Sequence, residues 1–234
     1  MPSGIYSKVN RVGPALVEEA KNCGISDLHE AMGTVLGRAG LMSMRMRPLK
    51  LGQHAAGPAV TAWCPPGDNL MMHCALYYAQ PGDVLVINSG LDGAGSQWGD
   101  LAAMFARERG VAGVVVAGGI RDVNSLSEMN FPVWSTAVSP AHSEKKALGM
   151  VNGPLICDGV QVDPGDLVVA DGDGVIVIPK AQAADILAKV RARRDKESAM
   201  IEAMRKGETL FELVGLGKSP ADSQLQVLDR AWDD

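Results

Sequence analysis

Two short, almost unbroken apolar runs stand out along the chain, Val84-Leu85-Val86-Ile87 and Val114-Val115-Val116. Runs of this length, rich in β-branched residues and bounded by Gly or Pro, predict strands buried on both faces. They place strands at 83–88 and 111–116. A third strand, 55–64, ends at Pro65-Pro66-Gly67. Between these runs the apolar spacing is helical. It predicts a helix over 69–78 with Leu70, His73, Cys74 and Tyr77 on its apolar face, a helix over 100–109, and a short helix from about Asp122. Upstream, 14–22 reads as a helix with Pro14 at its start and Gly24 past its end. A second short helix over 27–32 is capped by Ser26 and stopped by Gly33. The resulting βαβα succession implies an α/β fold with parallel strands and helices packed on them.

After Phe131 the texture changes to short β-rich runs at 132–138, 155–157, 159–162, 167–170 and 175–178. Pro164-Gly165-Asp166 echoes Pro81-Gly82-Asp83, and in both a Pro-Gly turn launches a buried strand. From Ala181 to Lys206 the pattern is helical. Ile186, Leu187 and Val190 form one apolar cluster and Met200, Ile201 and Met204 another, with a charged stretch from Arg191 to Glu197 between. Gly207 ends it. The chain is therefore divided into a single α/β domain, 1–180, and a C-terminal helical arm, 181–234. That arm is either solvated or reaches a neighbouring subunit.

Composition narrows the partners. The 234 residues are 47% hydrophobic with only 4% aromatics and a net charge of −5. A phosphate-backbone binder needs a basic stripe, and a base-stacking platform needs aromatics, so no nucleic-acid partner is expected. No apolar run approaches the roughly 20 residues of a bilayer span. The first residues lack the apolar core of a secretory signal. Cys23, Cys64, Cys74 and Cys157 form no C-x-x-C and no zinc spacing, which fits reduced thiols and a cytoplasmic protein.

The chemistry concentrates at two strand-to-helix junctions. One follows the first strand through the glycine-rich segment Leu91-Asp92-Gly93-Ala94-Gly95-Ser96-Gln97-Trp98-Gly99 to Asp100. The other follows the second strand through a predicted Gly118-Gly119 turn to Arg121-Asp122. Junctions of this kind meet at one crevice of an open sheet. Asp100 and Asp122 each suit a helix start, and each also suits a hard divalent cation. Arg121 is a surface arginine or a fork for a carboxylate or enolate oxygen. The glycine segment fails the dinucleotide pattern: the third Gly comes one position late, and Val116-Ala117-Gly118 lacks the acidic residue. His73 reads as a core histidine, and Lys145-Lys146 as a solvated pair rather than a Schiff-base lysine. Glu30 is a solvated side chain or an acidic contributor to a shared metal site.

Asp100, twenty residues, then Arg121-Asp122 resembles the D-x20-R-D signature of the metal-dependent 4-hydroxy-4-methyl-2-oxoglutarate / 4-carboxy-4-hydroxy-2-oxoadipate aldolases. These share the fold family of the regulator of ribonuclease E activity A. The resemblance extends through His29-Glu30-Ala31-Met32-Gly33, Pro66-Gly67-Asp68-Asn69, Pro81-Gly82-Asp83-Val84-Leu85-Val86, Phe131-Pro132-Val133-Trp134-Ser135, Pro164-Gly165-Asp166, Ala170-Asp171-x-Asp173-Gly174-Val175 and Asp195-Lys196-Glu197. It implies a ββα-type sandwich like the phosphohistidine swivelling domain, assembled as a homotrimer or homohexamer. The implied activity is class II pyruvate aldolase chemistry on a small 2-oxo acid, using Mg²⁺ or Mn²⁺, with oxaloacetate decarboxylation alongside. The implied cellular role is degradation of aromatic acids such as protocatechuate or gallate. By the same resemblance Asp122 is the metal ligand, Arg121 binds the pyruvyl part and stabilises the enolate, and Asp100 partners a bound water. Backbone amides at Gly99 and Leu101 cradle the carboxylate. Glu197 of a neighbouring subunit is an outer acid, with Glu30 a weaker candidate for that role. Many members carry an acid where Ala117 stands here. The same fold also serves a protein that binds and inhibits a ribonuclease, which is the alternative function.

Overall fold

The apolar runs condense into a mixed sheet whose central strands are parallel, as the βαβα order requires. A computed structural model describes residues 3–90, 95–222 and 226–233. The chain divides into two units, Met1–Val190 and Arg191–Asp234. The first unit contains, in order, β1 (Gly4–Ile5), α1 (Pro14–Ala20), α2 (Ile25–Gly40), β2 (Arg47–Pro48), β3 (Ala55–Trp63), α3 (Leu70–Tyr78), β4 (Val84–Asn88) and β5 (Ser96–Trp98). It continues with α4 (Asp100–Glu108), β6 (Gly113–Ile120), α5 (Val123–Met129), β7 (Val133–Val138), β8 (Met150–Val151), β9 (Leu155–Cys157), β10 (Val160–Val162), β11 (Leu167–Asp171) and β12 (Gly174–Ile178). Helix α6 (Ala183–Arg205) begins in the first unit and ends in the second, which adds α7 (Leu210–Leu213).

Strands run in the order β1-β8-β3-β4-β6-β7-β2, with β3, β4, β6 and β7 mutually parallel. β11 pairs antiparallel with the first half of β3 and carries β12, β5 adds to the end of β6, and β9–β10 is a separate hairpin. Side-chain alternation sorts the core into layers. Leu85, Ile87, Val114 and Val116 face α3, α4 and α5. Val84, Val86 and Val115 face the opposite way, against β9–β10 and Val168, Ala170, Val175 and Val177 of β11–β12. The other face of β11–β12, Leu167, Val169, Ile176 and Ile178, packs on α1, α2 and the start of α6. The strands are apolar on both faces because both faces are covered.

Four local expectations are corrected. The helix expected over 27–32 is α2, which starts at Ile25 and bends through Gly33 (φ 73°, ψ 173°) rather than stopping there. Gly24, not Ser26, takes the cap position, and the Ile25 amide donates instead to Asp171 Oδ2 at 2.9 Å. In α3 the buried residues are Met71, Met72, Ala75 and Leu76, while Tyr77 is 72% exposed. Apolar side chains surround that helix, so spacing alone gives no correct face. Gly118-Gly119 is not a turn but part of β6, at the point where its register with β7 slips. A Cβ at Gly118 would sit 2.4 Å from Ser89 Oγ, and its φ of +154° suits glycine.

The four cysteines are free, and burial pushes the thiols of Cys64 and Cys157 up to about 12, which makes them unreactive. Among the described residues no helix is long and apolar enough to cross a membrane.

Candidate active site

β5 and β6 lie side by side and both run straight into helices, which brings the two sequence-marked junctions together. The last bond between them is the Arg121 amide to Trp98 O at 2.9 Å. The next residues, Gly99-Asp100 on one strand and Arg121-Asp122 on the other, therefore emerge adjacent. Leu91, Asp92, Gly93 and Ala94 of the predicted glycine loop lie outside the described residues.

Asp122 is in the left-handed conformation (φ 57°, ψ 36°), which Asp tolerates better than most side chains. The twist returns its carboxylate to the start of α4. Oδ2 lies 3.4 Å from the Asp100 amide and 3.3 Å from Arg121 Nε. That approach leaves no room at Gly99. A Cβ there would be 2.6 Å from Asp122 Oδ2, although the glycine's own φ of −161° is ordinary extended backbone. Glycine is needed here for space, not for conformation. Asp100 opens α4 as its first helical residue, so the cap position belongs to Gly99. Its Oδ1 accepts from the Leu101 amide at 2.7 Å and its Oδ2 from Ser125 Oγ at 3.5 Å. Of the two amides expected to cradle a substrate carboxylate, that of Leu101 is thus occupied by the protein's own Asp100.

A cavity of about 190 Å³ adjoins this junction, and Asn69, His73, Gln97, Arg121, His142 and Lys145 help to line it. The sequence pattern missed most of these. His73 faces the cavity rather than the core, and its pKa is lowered by partial burial and then by the positive charge of Lys145. Lys145 is exposed, as a solvated lysine would be, yet it lines the same cavity as Arg121. Gln97 is buried with both ends of its amide unpartnered among the described residues, and Asn69 Oδ1 is likewise unpartnered. Buried amides without partners are uncommon in folded proteins. Here they mark polar capacity beside the cavity. Sequence reading could have weighted Asn69 more heavily, because it directly follows a Pro-Gly-Asp turn.

Among the described residues no group of three or more His, Cys, Asp or Glu could hold a metal ion. The donor set still suits one hard cation. Mg²⁺ typically takes one or two carboxylates and keeps several waters. Asp100 and Asp122 supply two carboxylates, and Asp122 Oδ1 makes no hydrogen bond among the described residues. Glu197 lies on the part of α6 in the second unit, paired with Arg193 at 2.9 Å. Glu30 is exposed on α2.

Residues 25–177 match the model of the RraA-like family described as Aldolase/RraA. The chain belongs to the Aldolase/RraA family. A Halalkalibacterium halodurans relative, named "Putative 4-hydroxy-4-methyl-2-oxoglutarate aldolase", is 38% identical over 163 residues, 70% of this chain and 78% of its own length. A Pseudomonas syringae protein of solved structure superposes with a TM-score of 0.77 at 28% identity, covering 88% of this chain and 99% of the other. A Streptomyces coelicolor protein, described as an unusual member of the RNase ES inhibitor RraA protein family, gives a TM-score of 0.73 at 29% identity over 84% and 100%. The chain is thus similar both to relatives named as aldolases and to a member of an inhibitor family. Ala117 does not line the 190 Å³ cavity. It lines a separate one with Arg45, Asn88, Thr136 and Asp158.

Proposed function

We propose that this protein is a divalent-metal-dependent pyruvate aldolase. It would cleave 4-carboxy-4-hydroxy-2-oxoadipate to pyruvate and oxaloacetate, or 4-hydroxy-4-methyl-2-oxoglutarate to two pyruvates. One observation carries the reading: Arg121 and Lys145 line one small cavity beside two carboxylates and the N-terminus of α4. Two cations with a helix N-terminus suit a substrate bearing a carboxylate at each end. The relatives named as such aldolases agree with it.

Arg121 grips the pyruvyl end, and Lys145 with Asn69 meets the remote carboxylate. A cation held by Asp122, with Asp100 beside it, would polarise the 2-oxo group as a Lewis acid. Asp100 orients the water that takes the proton from the C4 hydroxyl. The C3–C4 bond then breaks, and its electron pair becomes an enolate whose oxygen faces the Arg121 guanidinium. Return of a proton to C3 gives pyruvate. Decarboxylation of oxaloacetate yields the same enolate, so it belongs to the same site. Glu197 of a neighbouring copy serves as the outer acid in a cytoplasmic homotrimer or homohexamer. Exposed Leu101, Phe105 and Tyr77 beside the cavity support such an assembly, because monomers rarely leave apolar patches uncovered. The swivelling-domain sandwich belongs to the same reading.

The test is pyruvate release from oxaloacetate and from 4-carboxy-4-hydroxy-2-oxoadipate with Mg²⁺, with Mn²⁺ and with EDTA, using wild type beside Asp122→Ala. Release that needs metal and disappears in the variant is expected. Absence of release under every condition ends the aldolase reading in favour of ribonuclease binding.

A further inference from the structure

We propose that Asp68 is a positioning residue for the cavity's second cationic wall. Its buried carboxylate latches the segment 144–147 to the start of α3 and so aims Lys145, together with Asn69, at the end of the substrate remote from Arg121. The identity of that substrate rests on the aldolase reading; the latch itself rests on geometry.

Asp68 is 4% exposed and shares its two oxygens among three backbone amides. Oδ1 accepts from Leu70 N at 2.8 Å, in the first turn of α3. Oδ2 accepts from Lys146 N at 2.6 Å and Ala147 N at 2.8 Å, from a segment nearly eighty residues away. The main chain reinforces the junction: Asn69 N donates to Glu144 O at 2.9 Å, and Glu144 N to Gly67 O at 2.8 Å. Residues on both sides of Lys145 are thus clamped to 67–69, with Lys145 between them. Its Nζ donates to Ser143 O at 3.4 Å and joins no ion pair among the described residues. Ser143 Oγ in turn donates to Ser96 O at 2.8 Å, which stitches the same segment to β5.

The chemistry suits a latch. Burial alone would raise the Asp68 pKa, but the amides of Lys146, Leu70 and Ala147 and the charge of Lys145 outweigh it and hold the group below the usual carboxylate range. An ionised carboxylate offers acceptors to all three amides at once. An asparagine turns an NH₂ toward one side and loses either the α3 bond or the loop pair. Asp68 does not line the cavity, whereas Asn69 and Lys145 do. Its influence on substrate must therefore pass through them.

The experiment compares wild type with Asp68→Asn by two assays and one physical measurement. KM for 4-carboxy-4-hydroxy-2-oxoadipate should rise by about tenfold, the usual weight of one charge-assisted contact. Exchange of the pyruvate methyl protons with D₂O needs only the Arg121 side of the cavity, and should change far less. Amide hydrogen exchange at Lys146 and Ala147 should quicken. Equal losses in both assays would mean general damage and overturn the proposal, as would an unchanged KM or unchanged amide exchange. Should Asp68→Asn fail to fold, Ala147→Pro removes one loop donor while keeping the buried carboxylate. It should raise KM in the same direction by a smaller factor, and an unchanged KM there would overturn the latch. A wild type that releases no pyruvate from any substrate would instead end the aldolase reading, leaving amide exchange to decide the latch alone.

Discussion

Pro66-Gly67-Asp68 and Pro81-Gly82-Asp83 are the same tripeptide in the same kind of turn, with glycine φ of 77° and 88°, and each buries its aspartate. They differ in what the carboxylate is given. Asp83, 1% exposed, receives both ends of a guanidinium, with Arg11 Nε and NH2 each at 2.8 Å. A charge pair of this kind fastens the N-terminal segment to the base of β4. Asp68 receives backbone amides from a loop that carries a cavity-lining lysine. The first turn supplies strength and the second supplies position. The third copy, Pro164-Gly165-Asp166, receives the Lys180 amide at 2.9 Å and only a distant ammonium at 4.0 Å, and burial raises its pKa. The shared motif fixes the turn, while the third dimension assigns the aspartate its task.

Breaking the strength side should have the largest effect. Arg11→Met leaves Asp83 buried with the Gln80 amide but without its countercharge, which should cost about 3 kcal/mol of stability. The urea midpoint checks this, and turnover per folded molecule should not fall with it. A loss of turnover at preserved stability would erase the distinction between the two turns. The position side is probed next by Gly99→Ala, whose methyl would push Asp122 Oδ2 from 2.6 Å. A misplacement near 1 Å at a reacting centre costs on the order of 100-fold in rate. Pyruvate release should drop by about that factor with little change in melting temperature, and a fully active variant would remove the Asp122 carboxylate from the chemistry. The smallest effect is in acid. The native pKa of Asp68 is depressed, so its contribution to stability is complete above the ordinary value of 3.8 and is lost as pH falls through the native value. The stability gap between wild type and Asp68→Asn should accordingly be constant at neutral pH and close below about 4 in urea titrations at stepped pH. A gap that widens in acid would show that the carboxylate is not the ionised acceptor described.

Local physics made much of the protein legible. The valine-rich runs at 83–88 and 111–116 read as strands covered on both faces, and the βαβα order required them to be parallel, although the second strand runs on to Ile120. Asp100, Arg121 and Asp122 could be singled out because each stands where a strand of an open sheet turns into a helix. The faces of α3 were not legible, since apolar side chains surround it. The role of Gly118 was not legible either, because it answers to Ser89 on the neighbouring strand. His73, assigned to the core by spacing, lines the cavity, and Lys145, assigned to solvent, forms one of its walls.

The sequence by itself therefore determined the α/β class, the family and the acid–arginine–acid constellation, because these follow from short-range patterns of side chain and spacing. Only the tertiary structure decided that Asp122 turns left-handed back onto Gly99, that Lys145 lines the same cavity as Arg121, and that Asp68 binds the segment beside Lys145. Those contacts join residues 22 to 79 positions apart. They arise from the closing of loops around a common crevice, which no local pattern encodes.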